Sequence, residues 1–375
     1  SGVAYLPDSA TVLARLAATE MQGEQRDLSS AEGHASRAIK RSPWDYRNRL
    51  LLARIKEAQG DRPAAEQCLQ DALALAPNYT DVHWRLANVL LREGKLAKSV
   101  AEFRSATASD ISLLPETLDV LWRLSGNNVA VVNAVAPRQP EARLVLSQFL
   151  LSQSRVPEAL EVFGEIERDA LLLNPDTSRF IEQLIKAGHL EEAQRVWVAV
   201  ITGNQPVGTR PGIWNGGFES DISPALSTFD WSVSRNEYVV AAIDGGAAHT
   251  GARSLRLDFL GRDTTRMDGQ LKQLIVLSPG SRYRVECFVR TKDLVTPEGP
   301  RVVVTDARTS IRIASSDPIA GGSGDWQRIA FEFDAPAAVR AAFISVTRVP
   351  RFSYDDPTRG SVWFDDVSLI EQRGK

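Results

Sequence analysis

The residue types that usually carry chemistry are few in this chain and poorly placed for turnover. Four histidines occur, His34, His83, His189 and His249, three of them on helical patterns. None stands in a Ser-His-Asp or metal-hydrolase arrangement, where an imidazole would take a proton from a nucleophile or bind zinc. Asp355-Asp356 and Asp365-Asp366 are neighbours along the chain. A glycosidase needs two carboxyl groups facing each other across a sugar, which adjacent residues do not provide. Gly321-Gly322-Ser323-Gly324 separates two strand patterns and opens no helix, so it lacks the N-terminal amides that cradle a phosphate. The reading is of a non-catalytic protein. A different chemistry fits Phe352 and Tyr354, which lie in a polar loop with Arg351 and Arg359 near its ends. Exposed aromatic faces receive the apolar face of a pyranose while planar polar groups take its hydroxyls.

Composition narrows the partners. The 375 residues carry 24% charged side chains and a formal net charge of -3, without the basic surplus of a protein that neutralises many phosphates, so nucleic acid is not expected. No apolar run reaches the roughly 18 residues of a membrane span, and the first residues lack a signal-peptide layout. Ser1-Gly2 reads as a cloning remnant, which leaves room for an export signal or anchor removed upstream. Cys68 and Cys287 fall in different halves and are expected as two buried thiols.

The elements that must position these residues change character midway. In the first half the period is 34: Ala38, Ala72 and Ala106 (72 - 38 and 106 - 72), Leu52 and Leu86, Ala53 and Ala87, Gly60 and Gly94, and Pro43 and Pro77. Ala159 and Ala193 repeat the spacing, each followed four residues later by a large apolar side chain, Phe163 and Trp197. Small residues let paired helices approach, and the glycines turn the chain between them. On these residues the sequence resembles the tetratricopeptide repeat family, with units near 12–45, 46–79, 80–113, 140–173 and 174–201 and a compressed unit at 114–139. The resemblance implies a superhelix whose first helices line a groove for a protein partner, with Arg47, Arg54, Trp84, Asn88 and Arg92 facing it. Asn88 and Arg92, four apart, would grip a peptide carboxylate or anionic segment; the same pair serves equally as a solvated helix face. Trp84, Trp122 and Trp197 are expected to pack mainly in the core.

After a Gly- and Pro-rich stretch at 203–212 the apolar spacing becomes two: Leu255, Leu257, Phe259; Tyr283, Val285, Cys287, Val289; Ile329, Phe331, Phe333. Such runs predict antiparallel strands in a β-sandwich, most simply a jelly roll. The expected organisation is therefore multidomain: an all-α repeat array over 1–202, a linker at 203–212 and a sandwich over 213–375. Asn215-Gly216-Gly217-Phe218-Glu219, His249-Thr250-Gly251-Ala252-Arg253-Ser254-Leu255, Gly324-Asp325-Trp326 and Val362-Trp363-Phe364-Asp365-Asp366-Val367 make this half resemble the galactose-binding-like superfamily, in particular its carbohydrate-binding modules. That resemblance implies a structural Ca²⁺ held by Glu219 and Asp365, with Asp366 as the alternative and a backbone carbonyl near Arg253, and no other cofactor.

The two halves together look like bacterial tetratricopeptide proteins of cell-envelope or exopolysaccharide systems, periplasmic or membrane-anchored. The function expected is that of a scaffold, the repeats binding a protein and the sandwich a carbohydrate through Phe352, Tyr354, Arg351 and Arg359. A purely protein-protein scaffold is the alternative, and an accessory subunit of a hydrolase stands behind both.

Overall fold

A computed structural model describes residues 9–22, 26–203, 212–222, 226–262, 266–350, 352 and 357–372. Of the expected linker only Gly203 and Gly212 are among them. The chain divides into two compact units, Ser1–Leu171 and Leu172–Lys375.

The first unit stacks helix pairs: α1 (Ala10–Gln22) with α2 (Leu28–Arg41), α3 (Tyr46–Gln59) with α4 (Arg62–Leu75), α5 (Thr80–Arg92) with α6 (Leu96–Ser109), α7 (Leu114–Leu124) with α8 (Val129–Val135), and α9 (Pro140–Ser152) with α10 (Val156–Gly164). The starts are written locally. Asp27, Asp45 and Asp61 each accept a hydrogen bond from an amide of the first turn they precede, from Ser30, Arg47 and Ala64. Such caps are worth about 1 kcal/mol each. Gly60 and Gly94 turn the chain at φ 82° and 76°, and Ser154 takes the same left-handed position between α9 and α10 at 61°, although it is not glycine. The repeated alanines Ala38, Ala53, Ala72, Ala87 and Ala106 are all fully buried. Side chains that small are what lets neighbouring helices close up, so enlarging one would cost about 1–3 kcal/mol in overpacking. The region 114–139, expected as a compressed unit, does form a helix pair, but its second helix has seven residues.

In the second unit α12 (Asp176–Lys186) and α13 (Leu190–Thr202), which follow a short α11 (Arg168–Leu173), group with two five-stranded antiparallel sheets. The strands are β1 (Ser232–Val233), β2 (Val239–Asp244), β3 (Ser254–Leu260), β4 (Met267–Val276), β5 (Arg282–Val295), β6 (Arg301–Asp306), β7 (Arg312–Ser315), β8 (Gly322–Asp334), β9 (Ala341–Arg348) and β10 (Arg359–Gln372). One sheet runs β1-β4-β9-β6-β7 and the other β2-β3-β10-β5-β8, an open sandwich rather than a closed barrel. The alternating residues meet between the sheets: Leu255, Leu257 and Phe259 from β3, Tyr283, Val285, Cys287 and Val289 from β5, and Val362, Phe364, Val367 and Leu369 from β10 form one core. Ile329 and Phe331 of β8 are half-buried against it.

Trp197 shows why α13 goes with the sandwich. Its indole N–H donates to the Leu226 carbonyl at 2.7 Å, and its ring stands edge-on to Trp214 and Phe229, with centroids 5.1 and 5.9 Å away. Trp197→Ala should therefore lower the stability of the sandwich transition by about 3–5 kcal/mol, and Trp197→Phe, which removes the donor and part of the ring, by a smaller amount, about 1–3 kcal/mol. Denaturant unfolding followed by near-ultraviolet circular dichroism reads both. An unchanged sandwich midpoint in Trp197→Ala would detach α13 from that unit.

Candidate functional site

The groove residues expected on α3 and α5 prove largely engaged by their own neighbours. Arg47 forks onto its capping partner, its Nε and Nη2 donating to the two oxygens of Asp45 at 2.8 and 2.9 Å. Arg92 donates to Glu57 of α3 at 3.1 Å, and the Asn88 side-chain amide donates to the Trp84 carbonyl one turn back at 2.8 Å. Arg54 makes no ion pair among the described residues. Trp84 is half-buried, edge-on to Phe103 at 5.1 Å, whereas Trp122 and Trp197 are core. Of these residues Arg54 carries the uncommitted guanidinium. A partner that recruited Asn88 or Arg92 would have to compete with intramolecular acceptors.

In the sandwich, Glu219 and Asp365 do converge, and the loop joining β2 to β3 is what brings them together. Glu219 Oε1 accepts from the amides of Ala252 and Arg253 at 2.8 and 3.0 Å. Asp365 is fully buried; its Oδ2 accepts from the amides of His249 and Thr250 at 2.7 and 3.2 Å, and its Oδ1 from that of Asp366 at 2.7 Å. Asp366, at φ 49°, turns its carboxylate onto His249 Nδ1 (2.6 Å) and the Thr250 hydroxyl (2.7 Å). Gly251 stands at φ 64°, where a side chain would be strained, and a Cβ there would push Glu219 Oε1 from its amides. The arrangement is one of carboxylates received by backbone amides. Glu219 Oε1 and both Asp365 oxygens accept amide hydrogens, and among the described residues no three His, Cys, Asp or Glu side chains form a group. It fits a hydrogen-bonded clip between the opening segment, the loop and the last strand.

Of the residues expected to meet a sugar, Phe352 is 54% exposed after the end of β9, and Arg359 is exposed at the start of β10, where it pairs with Leu260 and Val295. Arg351 and Tyr354 lie outside the described residues. The strand side of this loop is anchored: the Thr358 carbonyl accepts from the Gly261 amide at 3.0 Å, and its hydroxyl meets that of Thr296 at 2.8 Å. A second aromatic feature escaped sequence reading. On the outer side of the β4–β9 pair, Lys272 Nζ sits 4.5 Å from the Phe343 ring centroid. Its only trace in the sequence is the outward phase of two strands, which alternation alone does not mark as functional.

The reactive side chains resolve into structural roles. His34 Nδ1 meets Glu20 at 2.9 Å and Ser30 at 3.5 Å, so one ring nitrogen serves both neighbours, whereas a triad needs one nitrogen for the hydroxyl and the other for the acid. His249 stacks on Phe288, centroids 3.6 Å apart. Both cysteines are free; burial pushes the Cys287 thiol up to about 12, while Cys68, expected buried, is half-buried.

Two aspartates of the sandwich titrate in opposite senses. Burial raises Asp365 above the ordinary aspartate range despite its amide donors, so its contribution favours the folded state at acid pH and fades as pH rises through the raised value. Asp244 is lowered, first by the Trp363 indole N–H at 2.7 Å and then by the Gly246 amide, so its contribution is present above the ordinary range and lost as pH falls through the lowered value. Trp363→Phe should therefore move the Asp244 titration upward, read by carboxyl-carbon NMR; an unmoved titration would refute the indole's role. For the clip, EDTA is expected to leave the sandwich melting midpoint unchanged. A clear drop that added Ca²⁺ reverses would restore the ion.

Several solved structures are similar to part of the chain. One described as "CBM4 structure and function" is 16% identical, with a TM-score of 0.32, covering 43% of this chain and 99% of that one. The crystal structure of MamA is 14% identical, with a TM-score of 0.28, covering 50% and 84%. The Yersinia enterocolitica type III secretion chaperone SycD, in complex with a peptide of the translocator YopD, is 20% identical, with a TM-score of 0.27, covering 32% and 88%. At these identities and scores none of them assigns a ligand or partner. No curated protein matches the chain. Residues 50–112, from within α3 past the end of α6, match the model of the tetratricopeptide repeat.

Proposed function

We propose that the chain is a non-catalytic binding scaffold, its repeats holding a protein segment and its sandwich a carbohydrate. The helix pairs with their family match support the first half of this reading. Phe352 is the single observation that carries the second. A phenyl ring more than half exposed, in the segment leading to the anchored Thr358 and to Arg359, is suited to an apolar sugar face. On α3 and α5, Arg54 and Trp84 are the groove residues with contact capacity left for a partner.

Retention of the whole protein on immobilised polysaccharides tests the carbohydrate half. Phe352→Ala should weaken retention by about 5–30-fold, the equivalent of roughly 1–2 kcal/mol, in a variant whose melting profile shows both transitions. A protein that no polysaccharide retains would be a purely protein-protein scaffold. Equal retention of the wild type and Phe352→Ala would move the sugar site to another face.

A further inference from the structure

The second helix of the fourth pair is short. α8 has seven residues where α2, α4 and α6 have fourteen. It packs on α6 and α7, and beside it opens a cavity of about 300 Å³, at the small end of the range of ligand pockets, roughly 300–1,000 Å³. Its charged and amide lining consists of Arg104 from α6, Asn133 from α8, Arg138 from the following loop, Arg143 from α9, and Glu165 just after α10.

Arg143 is the unusual member. It is only 5% exposed. Its Nη1 donates to Asn133 Oδ1 at 2.7 Å and its Nη2 to Glu165 Oε2 at 2.6 Å, while its buried Nε has no acceptor. A guanidinium brings five N–H donors, and a charge withdrawn this far from water calls for more acceptors than one amide and one half-exposed carboxylate supply. Arg104 and Arg138 are exposed, and neither forms an ion pair among the described residues. The lining thus carries three guanidiniums against one carboxylate, a formal surplus of two positive charges.

The geometry points to an oxyanion site in this cavity, taking a phosphate dianion either free or as a small phosphomonoester, with Arg104 and Arg138 at the mouth and Arg143 in the wall. A dianion balances the surplus, and planar guanidinium forks bind phosphate oxygens in pairs. A carboxylate would leave one charge unbalanced. The site is separate from the groove and the sandwich, and it needs neither for its chemistry.

Calorimetric titration of the whole protein with inorganic phosphate, acetate and phenyl phosphate at constant ionic strength tests this. Phosphate should bind at least tenfold more tightly than acetate. Arg104→Gln and Arg138→Gln should each weaken it by about tenfold while the helical melting transition stays in place, since both side chains are exposed. These two variants carry the test even if an Arg143 substitution unfolds the unit. Phenyl phosphate binding more tightly than phosphate assigns a monoester, and the reverse order assigns the free ion; both orders support the site. Phosphate binding no tighter than acetate, or unchanged in both variants, overturns it.

Discussion

The sandwich depends on the way its last strand is held at Asp365. β10 lies between β3 and β5, and its pairing with β5 shifts between Asp365 and Ser368, where Asp366 takes a left-handed backbone. A carboxylate with no exposure is tolerable only if hydrogen bonds replace its water, and three amides do so. One of them belongs to β10 itself and two to the loop that precedes β3. Gly216 completes the arrangement: its carbonyl accepts from the Val367 amide at 2.9 Å, and a Cβ there would meet the Val367 oxygen at 2.0 Å. Segments more than a hundred residues apart are thus tied at one corner, and the inward row Val362, Phe364, Val367 and Leu369 keeps its phase across the irregularity.

The repeat array was legible because its contacts recur. Alanine at the same place every 34 residues is a steric requirement of neighbouring helices, and composition cannot imitate it. The sandwich was legible through its alternation for a similar reason. The allegiance of α13 was not. Trp197 stands in register with Phe163, and both are buried. The difference is that the Trp197 indole N–H finds a carbonyl at Leu226, a partner no periodicity can name.

Binding residues were harder to read than folds because a sequence shows donors but not how they are spent. Arg47, Asn88 and Arg92 have the side chains a peptide groove needs, yet Asp45, the Trp84 carbonyl and Glu57 already take them. Glu219 and Asp365 were expected around an ion, and each accepts hydrogen bonds from amides of the loop between β2 and β3. Arg143 reversed the usual expectation. An arginine in a helix reads as solvated, yet Arg143 is almost fully enclosed. Sequence reading had registered the compressed unit at 114–139 but had no means of seeing which charges it would surround.

The strand order has a consequence for how copies of the chain behave in solution. β8 ends its sheet with thirteen residues, long enough to offer a row of unpaired amides and carbonyls to another chain. Its outward side chains are tied across to β5: Arg328 reaches Glu286 at 2.7 Å, and Arg282 reaches Glu332 at 2.8 Å. A second strand docking there would have to cover these charges, while Gly322, at φ 103°, bends the strand's first residues away from a flat template. The charged lattice adds little to folding stability, where exposed ion pairs are worth under about 1 kcal/mol. Its larger effect is to keep an otherwise adhesive margin of the sandwich from recruiting neighbours at high concentration.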